Sequence, residues 1–202
     1  MIVIIDYHVG NLGSVTNACK RQGMDVVVTN DPEVIRQADG IILPGVGAFP
    51  AAMSNLEACH LVPVLNEVKD KGTPILGICI GMQLLFEEGS ENGHTKGLGF
   101  LKGSVDKMEV DAKLPHMGWN QLVIKQSHPL LKYVEEGDYV YFVHSYSAHC
   151  PEDEIGAYVN YGCKKITAFV YKDNVMGTQF HPEKSGEIGK KILRAFKELV
   201  LC

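Results

Sequence analysis

One cysteine, Cys79, stands between two glycines in Gly77-Ile-Cys-Ile-Gly81, behind the run Thr73-Pro-Ile-Leu76 and ahead of Met82-Gln-Leu-Leu85. A thiol at a strand–turn–helix junction with glycine on both sides has the logic of a nucleophile elbow. The turn is tight, and a side chain at 77 or 81 would meet neighbouring backbone. The helix start offers free N–H groups and a dipole that favour the thiolate. Glycine is common in this chain, so the five residues alone also fit a buried structural cysteine.

A thiol nucleophile needs a base and a group that orients the base. His181 and Glu183, in Phe180-His-Pro-Glu-Lys-Ser185, are two apart at the end of a predicted strand, and an extended chain faces both side chains the same way. Pro182 stiffens the pair, and a carboxylate beside an imidazole fixes its tautomer and stabilises the imidazolium. The same residues also fit a surface His-Pro turn. His60, His94, His128 and His149 have no strand-end carboxylate partner and read as solvent or packing residues. Acyl transfer also needs donors for an oxyanion. One is the N–H after the nucleophile, at Ile80. The other is expected from a loop after a neighbouring strand, and Pro44-Gly-Val-Gly47, with Gly45 and Val46 at its centre, is in that place. It also fits a plain strand-to-helix turn; its glycines make it a hinge candidate.

The elements that would position these groups follow from the patterning. Residues 2–7 (IVIIDY) form a continuous apolar run, as expected of a parallel strand covered on both faces. A helix at 11–22, a strand at 25–29, a short helix near 33–38 opened by Asp31-Pro32, a strand at 41–43, two helical stretches over 50–71 and a strand at 74–78 follow. That β-α-β-α-β-α-β order predicts a parallel sheet with right-handed crossovers. The second half reads as short strands near 99–110, 119–125, 138–144, 155–161, 166–171 and 175–180, with a hairpin at Asp173-Asn174. An amphipathic helix over 185–201 closes the chain. Residues 87–97 (EEGSENGHTKG) read as a mobile surface excursion. The expected fold class is α/β: three layers, α/β/α, around a central mostly parallel sheet, with antiparallel strands added in the C-terminal half.

The 202 residues fit one domain spanning 1–202, 46% hydrophobic and 21% charged, with a net charge of −5. No basic stripe marks a nucleic-acid partner. No run reaches the roughly 18 apolar residues of a membrane span, and the N-terminus lacks a basic signal region. A cytoplasmic location is expected. The six cysteines form no C-x-x-C pair, so zinc and thioredoxin readings have no support and free thiols are expected. No metal or cofactor is expected.

PGVG, GICIG and HPE, in that order across the whole chain, resemble the class I (triad) glutamine amidotransferases, of flavodoxin-like fold. Three further stretches, IIDYHVGNLGSV at the start, LPHMGWNQL at 114–122 and FHPEKSGEIG at 180–189, are similar to the glutaminase subunits of imidazole glycerol phosphate synthases. The resemblance implies that Cys79 attacks the glutamine side-chain amide to form a glutamyl thioester, that His181 protonates the departing ammonia and then activates water, and that Glu183 orients His181. It places backbone of Gly45, Val46 and Ile80 around the oxyanion, Gln83 against the substrate, and Ser145 and Tyr146 at its amino-acid end, largely through backbone groups. It implies a heterodimer with a (β/α)8 cyclase subunit, which uses the ammonia to make imidazole glycerol phosphate and an aminoimidazole carboxamide ribonucleotide in histidine biosynthesis. Asn11, Trp119, Tyr133 and Lys184 are candidates for the partner face; a local role also fits Asn11 (helix cap), Trp119 (core) and Tyr133 (packing). The alternatives are a glutaminase serving another synthase, a DJ-1-like cysteine enzyme and an interaction subunit without activity.

Overall fold

The computed structural model describes residues 1–201. In chain order it contains β1 (Ile2–Ile5), α1 (Leu12–Arg21), β2 (Val26–Thr29), α2 (Pro32–Arg36), β3 (Gly40–Leu43), α3 (Phe49–Ala58), α4 (Leu61–Asp70), β4 (Ile75–Ile78) and α5 (Ile80–Gln83). Then come β5 (Glu88–Gly89), β6 (Thr95–Lys96), β7 (Ser104–Lys107), β8 (His116–Gln121), β9 (Val123–Ile124), β10 (Tyr139–His144), β11 (Tyr146–His149), β12 (Ile155–Tyr161), β13 (Lys164–Lys172), β14 (Val175–Thr178) and α6 (Gly186–Val200).

The main sheet has the order β2-β1-β3-β4-β14-β13-β12-β9. Pairing is parallel from β2 to β14 and antiparallel from β14 to β9. β1, β3, β4 and β14 are buried at every position, as the continuous apolar runs require. Each large aliphatic side chain fully buried there contributes about 1.5–3 kcal/mol. The chain steps from β1 outward to β2 and then back past β1 to β3 and β4. Right-handed crossovers therefore put α1 on one face and α2, α3 and α4 on the other. The packing agrees: α1 touches α6, while α4 touches both α2 and α3. A Cβ at Gly40 of β3 would lie 2.5 Å from Val200, so glycine is what lets the end of α6 settle on the sheet.

Two smaller sheets stand beside the main one. β8 pairs with β10, and β11-β7-β5-β6 form the other. Three details depart from the sequence reading. Residues 87–97 are not a bare loop: β5 and β6 pair across them and extend the small sheet. β11, unread in the sequence, pairs with β7. The helix after Cys79 is one turn long. Its continuation is stopped because residues 97–101 capture the next carbonyls: Leu98 N–H donates to Leu84 O, Phe100 and Leu101 N–H to Leu85 O, and Gly99 N–H to Phe86 O. So short a helix lends little dipole to the thiol. Among the described residues no helix is long and apolar enough to cross a membrane.

Candidate active site

Cys79 sits at the C-terminal end of β4, with φ 55° and ψ −110°, a conformation L-residues rarely adopt. Backbone on both sides holds it there: Cys79 N–H donates to Thr178 O of β14 at 2.8 Å, and Gln83 N–H donates to Cys79 O at 3.0 Å. The flanking glycines are sterically required. A Cβ at Gly81 would sit 1.8 Å from Leu43 O, and one at Gly77 would sit 2.7 Å from Gly81 O. Gly45 is equally close-packed, since a Cβ there would lie 2.8 Å from Gly81 N. The PGVG segment and the elbow therefore touch through backbone. Tyr7, buried at the end of β1, donates its hydroxyl to Pro44 O at 2.5 Å and helps fix that segment. Burial, with the Cys79 charge beside it, pushes the Tyr7 hydroxyl pKa up.

His181 lies beside Cys79. Its Nδ1 is 2.6 Å from Glu183 Oε1, both side chains are fully buried, and its Nε2 has no protein partner. The pair does not meet as the extended chain predicted. Residues 182–184 form a single 3-10 turn, with Lys184 N–H donating to His181 O at 3.0 Å, and the turn brings the carboxylate back to the ring. Ser185 Oγ donates to His181 O at 2.7 Å and accepts from Tyr141 N–H at 3.0 Å, which locks the backbone under the ring. Burial opposes a charge on His181, but the thiol and Glu183 outweigh it and push its pKa up to about 9. Burial likewise opposes charge on Glu183, and His181, with a contribution from Asn11, overrides it and holds the carboxyl below its usual range.

Val46, Cys79, Ile80, Gln83, Ser145, Tyr146 and His181 line one cavity of about 350 Å³. Gln83 donates through Nε2 to Gln179 Oε1 at 3.0 Å and to Tyr146 O at 3.2 Å, which leaves its buried Oε1 without a partner. The Ser145 and Tyr146 carbonyls are already engaged within the protein, Ser145 O by Met108 N–H and Tyr146 O by Gln83 and His144. Ile80 N–H, at the first position of α5, has no partner within its helix and is free to serve an oxyanion.

The proposed partner-face residues divide. Asn11 Nδ2 donates to Glu183 Oε1 at 2.5 Å, so it touches the His–Glu pair directly. Trp119 is 52% exposed on β8, close to Gly186, and Lys184 is exposed. Tyr133 lies elsewhere. Its hydroxyl donates to Glu198 at 2.9 Å, and Arg194 covers its ring at 4.5 Å, beside the far half of α6. Roughly 15 Å of helix separates it from Gly186.

Sequence reasoning missed four residues. Gln179 approaches Cys79 Sγ through Nε2 at 3.7 Å; standing two before His181, it could have been found by strand period. His144 lines the cavity and had its signal only in being next to Ser145. Tyr7 and Glu91 had none. Glu91 lines the cavity from the β5–β6 connection, and its carboxylate accepts from Phe49 N–H at 2.8 Å. No cluster of three or more His, Cys, Asp or Glu side chains among the described residues is arranged to hold a metal ion.

A thiol, an imidazole with a free nitrogen, a carboxylate behind it and the free Ile80 N–H around one cavity can carry out acyl transfer through a thioester. Comparison with known proteins agrees with this chemistry. The family model "Glutamine amidotransferase class-I" matches residues 3–199. The imidazole glycerol phosphate synthase subunit HisH of Lactococcus lactis is 56% identical over 98% of this chain and 98% of its own. The subunit of the same name from Bacillus cereus is 52% identical over 99% of this chain and 95% of its own. Among solved structures, a glutamine amidotransferase superposes with a TM-score of 0.79 at 18% identity over the full length of both chains. A chain of PurLQS from Thermotoga maritima gives 0.73 at 20% identity, over 98% of this chain and 97% of its own. The chain belongs to the class I glutamine amidotransferases and, within them, to the family of the HisH subunits of imidazole glycerol phosphate synthase.

Proposed function

We propose that this chain is the glutaminase half of a two-subunit synthase, hydrolysing glutamine to glutamate and ammonia and passing the ammonia to a (β/α)8 cyclase partner. The supporting observation is that Cys79, His181, Gln83 and Glu91 line one cavity, with Gln83 Oε1 buried and without a protein partner. Cys79 passes its thiol proton to His181, and its sulfur attacks the side-chain amide carbon of glutamine. The resulting oxyanion is held by Ile80 N–H and by backbone at Gly45 and Val46. His181 gives its proton to the amide nitrogen, the C–N bond breaks, and ammonia leaves behind a glutamyl thioester. Water then attacks the thioester while His181 takes its proton, and glutamate and the thiol are regenerated. Gln83 and the 145–146 segment hold the substrate, and Glu91 suits its ammonium group.

Ammonia released into neutral water becomes ammonium, which cannot attack an electrophile. A water-excluding interface over the cavity mouth keeps it reactive. Met117, Trp119 and Tyr139, exposed on β8 and β10, supply the apolar part of that interface, with Lys184 at its edge. The partner completes imidazole glycerol phosphate, as the relatives' name implies, and with it the aminoimidazole carboxamide ribonucleotide that the resemblance in sequence implies. A cytoplasmic location is in keeping with the free thiols at Cys19, Cys59, Cys79, Cys150 and Cys163.

The test is Cys79→Ser in complex with the cyclase. Glutamine-dependent synthesis should fall about a thousandfold or more, while synthesis from added ammonia continues. Survival of both activities would show that the thiol is not the nucleophile. Failure to bind a cyclase barrel would remove the pathway while leaving the chemistry standing.

A further inference from the structure

At the wall of the substrate cavity, His144 meets a second buried histidine, His116, and the mechanism above uses neither. His144 Nδ1 is 2.7 Å from Tyr146 O. A carbonyl only accepts, so His144 carries a proton on Nδ1. Burial drives its pKa down to about 3, so the ring is neutral and its Nε2 is an acceptor. That Nε2 is 2.9 Å from His116 Nδ1. His116 is held in turn between the rings of Phe142, 4.8 Å away, and Tyr161, 3.9 Å away. Its Nε2 is 2.9 Å from Asn120 Oδ1, and Asn120 Nδ2 donates to Asn160 O at 3.1 Å.

The near end of this series of contacts is the Tyr146 carbonyl, which also receives Gln83 Nε2. The amide of Gln83 has no other means of telling its two ends apart than the acceptors at Tyr146 O and Gln179 Oε1. With both in place, its Oε1 is turned to the side without a protein partner. The geometry points to His144 as a positioning residue for glutamine binding, its Nδ1–H fixing the Tyr146 carbonyl and, through it, Gln83. This role rests on the glutaminase reading above. Its far end is β8, whose opposite face carries Met117 and Trp119, so the substrate wiring and the exposed apolar residues share one strand.

Two substitutions separate this role from simple packing. His144→Leu fills the space without a donor. His144→Asn places an amide N–H where Nδ1–H was. In the complex with the cyclase, His144→Leu should raise KM for glutamine about tenfold or more and leave kcat within about threefold, and His144→Asn should restore most of the affinity. Calorimetric titration against the cyclase reports that each variant still assembles. An unchanged KM in the leucine variant, or equal impairment in both variants, would overturn the proposal. A direct measurement needs no variant and no turnover: long-range 15N–1H correlation on the wild-type chain should show His144 as the neutral Nδ1–H tautomer. An Nε2–H tautomer would overturn the assignment. Failure of the glutaminase reading itself would be visible separately, as wild-type complex that makes no product from glutamine.

Discussion

His181 is where charge, burial and geometry meet in a single residue. Its pKa is raised from 6.5 to about 9, so the imidazolium dominates at neutral pH. The stabilisation from its charged contacts is fully present below the unfolded value of 6.5 and is lost as pH rises through about 9. In the proposed mechanism the same proton is delivered to the leaving ammonia. The kcat/KM for glutamine should therefore fall on an alkaline limb near 9, measured with the complex across neutral and alkaline pH. A limb close to 7 would mean the contacts to Cys79 and Glu183 do not hold the proton. Asn11 acts one step further back, on Glu183. Asn11→Ala should lower kcat about tenfold with little change in KM, and should move the alkaline limb, since the carboxylate loses a donor. At this scale the sequence was most informative where chemistry is concentrated in short motifs. Cys79, His181 and Glu183 could be read from spacing and strand ends. Asn11 was placed on the partner face, and its bond to Glu183 spans 172 positions, which no local pattern contains.

The elbow works because two backbones pass closer than any side chain allows. Gly81→Ala would put a Cβ 1.8 Å from Leu43 O, with backbone on both sides and no flexible neighbour to yield. The expected cost is about 3 kcal/mol or more, measured by urea unfolding of the isolated chain. A near-neutral result would show that the β3–elbow contact can relax. The parallel half of the fold was legible because its strands are buried on both faces and its helices start with clear signals, such as Asp31 accepting from Glu33 N–H at 2.9 Å ahead of Pro32. The antiparallel half was less so. β5, β6 and β9 are two residues each, too short to show period two, and exist because other strands pair with them. Glu91 reaches the cavity, and Gln179 the thiol, from elements whose placement depends on that pairing.

At the scale of the molecule, Met117 and Trp119 on β8 and Tyr139 on β10 are the most exposed large apolar residues of that sheet, at 61%, 52% and 51%, and β10 also gives Val143 and His144 to the cavity wall. Such a patch calls for a cover. Trp119→Ala should weaken binding to the cyclase about thirtyfold, measured by calorimetric titration, while an alanine at Tyr133, on the far half of α6, should leave affinity unchanged. The reverse pattern would move the docking face to α6. The sequence marked Trp119 as a candidate anchor and Tyr133 as another; only the tertiary structure could separate them, because Tyr133 is folded against Glu198 and Arg194. Trp119 is also the only tryptophan of the chain. Half exposed and edge-on to Tyr141 at 6.0 Å, it gives the protein a native optical reporter at the surface the partner would cover. Its emission should shift to the blue as water leaves the indole, so assembly can be timed by stopped flow on unlabelled protein, and the moment of docking compared directly with the first release of glutamate.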